Sequence, residues 1–395
     1  MFDIVFYFNG HNLYSISKLA ATLINTPFQQ QSYFLAYHNN IFEFIKSRKN
    51  QIIFVFSFTT SDFFEMCELN KKIKEFKNVI SIAGGPHTSA LPIETLNEGF
   101  DFVFVGEGEK IFLNFLYDLQ NNKINKNIYE NQDLINLDDF IPFAYNQNLI
   151  TPVEIMRGCI KSCFYCQTSQ LFKKVRFLSP SSIIKYLKYV LNTKRKLITF
   201  LAPIGNYYFY NDLNYLIELF ENVKTNSELE ICFGHFPSEL HPEFITEDLL
   251  RIIKKYCSNK KISIGFQSGS ERILKKINRN ISIAKMVESV ELANKFSLIP
   301  IIDFLFGLPE EKKEDRELTK KLIEQLLKKY NVLIHPHIFL PLPGTKFWTA
   351  QPSIIEDEFL DFLSKLPNLS RIKQNWAKHL QMQKRIIEYR DKILK

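Results

Sequence analysis

Three cysteines fall within eight residues in Arg157-Gly158-Cys159-Ile160-Lys161-Ser162-Cys163-Phe164-Tyr165-Cys166, directly after the strand-like run Val153-Glu154-Ile155-Met156. The chain has only six cysteines, so the spacing CxxxCxxC demands a fold that gathers three sulfurs at the end of one strand. Three thiolates on a short loop can each hold one iron of a cubane 4Fe–4S cluster and leave the fourth iron open to a small molecule. Structural zinc needs a closed tetrahedron, and no fourth Cys or His lies nearby in sequence, so a zinc site would require a distant ligand. Three buried, unligated cysteines are the remaining reading, which such tight clustering disfavours.

The fold class around this loop is α/β. Before it, strand-like runs at Asp3–Phe8, Ser32–Tyr37, Ile52–Phe58, Val79–Ala83 and Phe102–Val105 alternate with helical patterns at Ser15–Ile24, Ile41–Ser47, Asp62–Phe76, Pro92–Glu98 and Lys110–Gln120. Five such units predict a doubly wound, Rossmann-like parallel sheet over residues 1–125, with ligands bound at the carboxyl ends of the strands. Two Gly-rich turns mark that edge, Ala83-Gly84-Gly85-Pro86-His87-Thr88-Ser89 and Val105-Gly106-Glu107-Gly108-Glu109. Their glycines admit close backbone approach, and Thr88 and Ser89 add hydroxyl donors. Residues 126–150 read as a polar linker.

From residue 151 to 341 the pattern runs β/α six times. Its strands are Val153–Arg157, Leu197–Pro203, Glu230–Phe236, Lys261–Ser268, Leu298–Gly307 and Val332–Leu340, with helices at Ser182–Leu191, Leu213–Val223, Glu247–Tyr256, Ala284–Phe296 and Glu314–Lys329. Six units fall short of the eight that close a barrel, so a partial TIM barrel is expected, with its chemistry at the C-terminal strand ends. Residues 342–395 form a helical extension, in which Ile372, Trp376, Leu380, Gln383 and Ile387 share one face while Lys373, Lys384 and Arg390 lie elsewhere on a solvated basic surface.

CxxxCxxC with Tyr165 before the last cysteine resembles the radical S-adenosylmethionine (SAM) enzymes. The flanks Glu154-Ile155-Met156-Arg157-Gly158-Cys159 and Cys166-Gln167-Thr168 are similar to the subgroup that carries an N-terminal cobalamin-binding domain. The resemblance implies a 4Fe–4S cluster on Cys159, Cys163 and Cys166, whose open iron chelates SAM and whose electron cleaves it to a 5′-deoxyadenosyl radical. It implies cobalamin around the turns at Gly84, Gly85, His87, Thr88, Ser89, Gly106, Glu107 and Gly108. Gln267-Ser268-Gly269-Ser270-Glu271 resembles the subgroup's QSGSE, which makes Gln267, Ser268 and Ser270 expected polar contacts to SAM, beside Tyr165. Asp303-Phe304-Leu305-Phe306-Gly307 follows GxIxGxxE with Asp303 replacing the first Gly; Leu305 would pack the adenine and Gly307 would permit the turn. Glu311 follows Pro309-Glu310 where relatives have PGE, so that loop is expected to take a different shape. The GGE that receives the SAM amine in relatives is missing after the second strand.

Many corrinoid proteins carry DxHxxG after the first strand, with the His ligating cobalt. Here the loop reads Phe8-Asn9-Gly10-His11-Asn12-Leu13-Tyr14, keeping a His but neither the Asp nor the Gly. His11 is therefore expected to be a loop residue, and cobalamin to bind without a protein ligand below. Among the other histidines, His235 ends the third strand and His335 and His337 share one face of the sixth; all three are candidates for acid–base or substrate-orienting roles.

In function, the resemblance implies methyl transfer to an unactivated carbon using two SAM molecules, one as methyl donor and one as radical source, with a reductant such as ferredoxin or flavodoxin. A cobalamin-associated rearrangement is an alternative. A methylthiotransferase acting on RNA would need three further cysteines in its first domain, where only Cys67 stands, and a non-catalytic corrinoid or metal sensor is disfavoured by the intact cysteine triad. The net charge of +8 is modest for the length and accompanies a general richness in Lys, Asn, Ile and Phe, so a nucleic-acid partner is not expected. No apolar run reaches a membrane span, and scattered Cys67, Cys232 and Cys257 offer no disulfide framework, so a cytoplasmic, reducing setting is expected.

Overall fold

The computed structural model describes residues 2–36, 39–131, 133–150, 152–172, 174–191, 196–367 and 376–395, with only the backbone of Trp376 and Ala377. It divides into two units, Met1–Val153 and Glu154–Lys395.

The first unit is a six-stranded parallel sheet: β1 (Phe2–Phe8), β2 (Ser32–Ala36), β3 (Gln51–Ser57), β4 (Val79–Gly84), β5 (Phe102–Val105) and β6 (Ile128–Glu130), in the order β2-β1-β3-β4-β5-β6. Helices α1 (Leu13–Ala21), α2 (Ile41–Lys46), α3 (Phe63–Ile73), α4 (Pro86–Ala90), α5 (Pro92–Asn97) and α6 (Gly108–Gln120) connect the strands. The strands are near-continuous apolar runs because their residues are buried on both faces. Phe6, Phe112 and Phe115 are fully buried on one such face, each burial contributing roughly 1.5–3 kcal/mol. The segment read as a linker starts with β6, which adds to the sheet beside β5. Its polar surroundings hid a three-residue strand that buries only Tyr129.

Because β2 and β3 lie on opposite sides of β1, the chain reverses direction across the sheet at β1 and β3. The loops after these two strands therefore diverge and leave a crevice at the carboxyl edge, the usual ligand position of an open parallel sheet.

The second unit carries β7 (Val153–Glu154), β8 (Met156–Arg157), β9 (Arg176–Phe177), β10 (Leu197–Leu201), β11 (Glu230–Cys232), β12 (Lys261–Gln267), β13 (Ile299–Phe306) and β14 (Leu333–Ile338). Two three-stranded sheets, β11-β10-β7 and β12-β13-β14, are linked by the parallel bridge Leu240 to Ile264, giving a six-stranded partial barrel. Outside it run α7 (Gln167–Leu171), α8 (Pro180–Leu191), α9 (Asn214–Lys224), α10 (Glu247–Tyr256), α11 (Glu271–Lys276), α12 (Ile283–Lys295) and α13 (Lys313–Lys329), followed by α14 (Asp357–Ser364) and α15 (Trp376–Ile393).

Two expected strands are shorter than their apolar runs. Val153–Arg157 splits at Ile155, whose N–H donates to Leu201 in β10 while its carbonyl accepts from Leu178. Met156–Arg157 then turns away to pair antiparallel with β9. The third strand stops at Cys232, because Gly234 takes φ +74° and turns the backbone. On α15, Arg390 is not on a solvated face: it is 1% exposed, and its guanidinium donates to the carbonyls of Trp348 and Ala350 at 3.3 and 3.0 Å. Ile372 lies outside the described residues.

Candidate functional site

In the first unit the crevice edge is built from three loops. Gly85 has φ +106° and ψ −176°, and a Cβ there would stand 2.5 Å from the Phe58 carbonyl oxygen, so only glycine lets the loop after β4 close on the loop after β3. Ser89 accepts the Gly106 N–H at 2.9 Å and donates to Gly85 O, tying the two Gly-rich turns together. Thr88, fully buried, donates to Gly84 O. Glu107 is 6% exposed and accepts the Ile135 N–H at 3.1 Å. These hydroxyl and carboxylate groups build the turns in which Gly84, Gly85, Gly106 and Gly108 stand.

His87 is also a core residue rather than a ligand contact. It is fully buried, lies 3.1 Å from Thr60 Oγ1 through Nδ1, and stacks on Phe63 with ring centroids 3.9 Å apart. Burial pushes its imidazole down to about 3.

His11 differs from its expected role as a bare loop residue. Its Nδ1 lies 2.8 Å from Asp62 Oδ1, while its side chain is 75% exposed. Asp62 is itself held by Thr59 Oγ1 at 2.7 Å and is 7% exposed. The carboxylate missing from the β1 loop is thus supplied by the β3 loop, at the point where the sheet reverses. With Nδ1–H donating to Asp62, Nε2 carries the lone pair and is the atom free to bind a metal.

In the second unit the cysteine loop leaves β8 through Gly158, at φ +83°, where a Cβ would meet Lys174 O at 2.2 Å. The loop is then pinned on several sides. Cys159 N–H donates to Phe172 O, Phe164 N–H to Ile277 O, and Phe347 N–H to Phe164 O. Ser169 Oγ donates to the carbonyls of Cys163 and Cys166 at 2.9 and 3.0 Å. Gln167 Nε2 donates to Pro343 O at 2.9 Å.

Burial pushes the Cys159 thiol up to about 11, and burial and the nearby Cys163 sulfur raise Cys166, so a thiolate triad there needs positive charge. A cation stands beside it: Arg279, 8% exposed, has Nη1 at 4.0 Å from Cys163 Sγ and Nη2 bonded to Gly265 O. Burial works against its charge, but the neighbouring Tyr165 and Cys163 side chains hold the guanidinium above its usual range. Irons would supply the rest. Sequence reasoning missed Arg279, because nothing in Ile277-Asn278-Arg279 signals a cation folded back onto the cysteines.

A cavity of about 290 Å³ opens inside the barrel, lined in part by Tyr165, Glu239, Gln267, Asp303, Leu305 and His337. A bulge between Gly265 and Gln267 and a left-handed backbone at Gln267, φ +74°, set the Gln267 side chain at this cavity. Tyr165, Gln267 and Leu305 thus share one space. Ser268 and Ser270 do not join them. Each is 1% exposed; Ser268 Oγ accepts the Ser270 N–H, and Ser270 Oγ donates to Asp315 at 2.6 Å while capping α11 through Ile273 N–H. They shape the turn.

In the loop after β13 the departure from PGE falls on a left-handed residue. Glu310 stands where relatives have Gly and adopts φ +61°, the left-handed backbone a glycine would take. Glu311, 4% exposed, accepts the Gly307 N–H at 2.7 Å and pairs with Arg316 at 3.3 Å.

Of the three candidate histidines, two come together. His335 Nδ1 lies 2.7 Å and His337 Nε2 3.2 Å from Asp303 Oδ1. Burial alone would raise the Asp303 carboxyl, but the hydrogen bonds from both histidines hold it below the usual carboxylate range. His235 instead meets Ser263 Oγ at 2.8 Å. Glu239, which sequence reasoning did not single out, is pushed up to about 7 by burial and then by the Asp303 charge.

Residues 153–323 match the model of the Radical SAM superfamily. The chain is 27% identical over 364 residues to an uncharacterised protein of Methanocaldococcus jannaschii, covering 84% of this chain and 74% of the relative. It is also 27% identical over 332 residues to a tRNA-2-methylthio-N(6)-dimethylallyladenosine synthase of Clostridium botulinum, covering 80% and 71%. Among solved structures, the radical SAM methyltransferase TsrM from Kitasatospora setae, with cobalamin and a 4Fe–4S cluster bound, matches with TM-score 0.68 over 88% of this chain and 74% of that one, at 12% identity. The cobalamin-dependent SAM radical enzyme OxsB, with aqua-cobalamin bound, matches with TM-score 0.64 over 98% and 56%, at 14% identity. At these identities the likeness is one of fold.

Proposed function

The chain carries a radical SAM domain over residues 153–323, and from that premise we propose that it is a cobalamin-dependent radical SAM enzyme that transfers a methyl group to an unactivated carbon. The observation that carries the cobalamin part is the His11–Asp62 pair at the reversal point of the first sheet, 2.8 Å apart, with the imidazole exposed. Gly85 and the neighbouring turns leave backbone at the same edge for a large ligand to approach.

When bound, the cluster would supply the one electron that cleaves SAM to methionine and a 5′-deoxyadenosyl radical, and cobalamin would supply the methyl carrier. The protein's part is placement. Cys159, Cys163 and Cys166 hold three irons, and Arg279 offsets their charge. Tyr165, Gln267 and Leu305 line the space for SAM, and the barrel wall keeps water from the radical. Substrate enters the side of the cavity bounded by Glu239, Asp303 and His337.

The sequence relatives favour a second reading, methylthiotransfer. A second cluster in the first domain would need three cysteines, and residues 1–153 contain only Cys67, buried at 5% exposure with its thiol pushed up to about 12. The first reading is therefore preferred.

The test is anaerobic reconstitution with iron, sulfide and hydroxocobalamin, followed by SAM and reductant. The proposal expects one corrinoid per chain and formation of both 5′-deoxyadenosine and S-adenosylhomocysteine. A protein that makes 5′-deoxyadenosine but retains no corrinoid would refute the cobalamin half and leave the radical half standing.

A further inference from the structure

Asp303 occupies a position where the family pattern has glycine, and it brings a carboxylate into the barrel. On β13 it stands opposite His335 of β14 in the parallel register, and the two-residue period of the strand sets His337 on the same face as His335. Both imidazoles converge on one oxygen, Oδ1, at 2.7 and 3.2 Å. The other oxygen, Oδ2, is buried and has no hydrogen-bond partner among the described residues, and Asp303 as a whole is only 4% exposed. A simple His–Asp pair needs one imidazole and leaves no reason for the second, and a buried carboxylate oxygen without a partner is costly. Two imidazole nitrogens and a carboxylate oxygen all lie within 4.8 Å of one another, and the group borders the cavity through Asp303 and His337.

We propose that Asp303, His335 and His337 bind a divalent transition-metal ion in the barrel cavity, distinct from the cysteine-held cluster. Two imidazoles and one carboxylate suit zinc or another borderline divalent ion and leave at least one coordination position open. The ion would take the place of the protons that the two ring nitrogens now donate to Asp303, leaving their lone pairs to coordinate it, and would give Oδ2 a partner. The open position faces the cavity that Glu239 also lines, so a substrate bearing an oxygen or nitrogen donor would be held there by direct coordination. The site stands whether or not cobalamin binds the first unit.

Zinc is the probe. Protein with its cluster reconstituted is freed of loosely bound metal with a chelator and titrated anaerobically with Zn²⁺ by calorimetry. One equivalent should bind with submicromolar Kd, and His337→Gln and Asp303→Asn should each weaken that binding at least tenfold while retaining the cluster. The Cys159→Ala/Cys163→Ala/Cys166→Ala variant should keep the equivalent, which separates this ion from zinc captured by the cysteines. His337 is the safeguard against misfolding, because its side chain is 39% exposed. Equal zinc binding by wild type and His337→Gln, or loss of the equivalent in the cysteine variant alone, overturns the proposal.

Discussion

The His11 imidazole donates through Nδ1 to the Asp62 carboxylate at 2.8 Å across fifty-one residues of sequence. A carboxylate on one ring nitrogen raises the basicity of the other, and loss of such a partner typically costs 10–100-fold in metal affinity. Protein-bound cobalamin in its cobalt(II) form should therefore show nitrogen coupling from an axial imidazole by electron paramagnetic resonance. His11→Ala should abolish the coupling, and Asp62→Asn should weaken corrinoid binding by about tenfold. A wild-type spectrum without axial protein nitrogen would return His11 to the role of a loop residue.

Replacing Cys159, Cys163 and Cys166 together with Ala should abolish the brown absorbance of a reconstituted cluster. Cys67, Cys232 and Cys257 should be dispensable for it, because they stand on α3, at the end of β11 and after α10 rather than on the cysteine loop. Iron and sulfide analysis of the two triple variants decides the point.

Ser270→Ala tests whether the QSGSE serines act on SAM or on the fold. The Ser270 hydroxyl caps α11 and donates to Asp315, which also accepts from Arg272 Nε at 3.1 Å. Loss of a cap costs about 1 kcal/mol and loss of a charge-assisted bond somewhat more, so the variant should be less stable by about 2 kcal/mol. Its SAM requirement, read from 5′-deoxyadenosine formation in the fully clustered protein, should stay within about twofold of wild type, a change of ~0.4 kcal/mol.

Glu310→Gly should stabilise the second unit. The native left-handed backbone costs a non-glycine residue on the order of 1 kcal/mol. The exposed contact to Lys276, which the substitution removes, contributes little. Thermal melting should rise by about 2 °C.

His87 makes the first unit sensitive to acid. Its folded-state pKa, about 3, lies below the ordinary histidine value of 6.5, so its neutral form stabilises the fold fully above pH 6.5. That contribution is lost as pH falls from 6.5 toward 3, because only the unfolded chain takes up the proton. At pH 5 the loss is about 2 kcal/mol. Urea unfolding at pH 7.5 and pH 5 should show this extra slope in wild type and not in His87→Gln.

Some of this protein was legible because it is local. Alternating apolar runs and helical periods placed five strands of the first sheet and six of the barrel within a few residues, since backbone pairing and burial impose those periods on nearby side chains. The cysteine triad was equally plain, because three ligands within eight residues need no tertiary information to be seen together. What the sequence could not determine was the direction and company of single side chains. Ser268, Ser270, His87, Thr88 and Glu107 have the chemistry of ligand contacts, yet each is turned inward by the turn it stabilises. Asp62, Arg279 and Asp303 became partners of His11, Cys163 and the two histidines only when separate loops and strands were brought together. Periodicity records which face a residue shares with its neighbours in sequence; which charge meets which imidazole is settled by the packing of elements far apart in the chain.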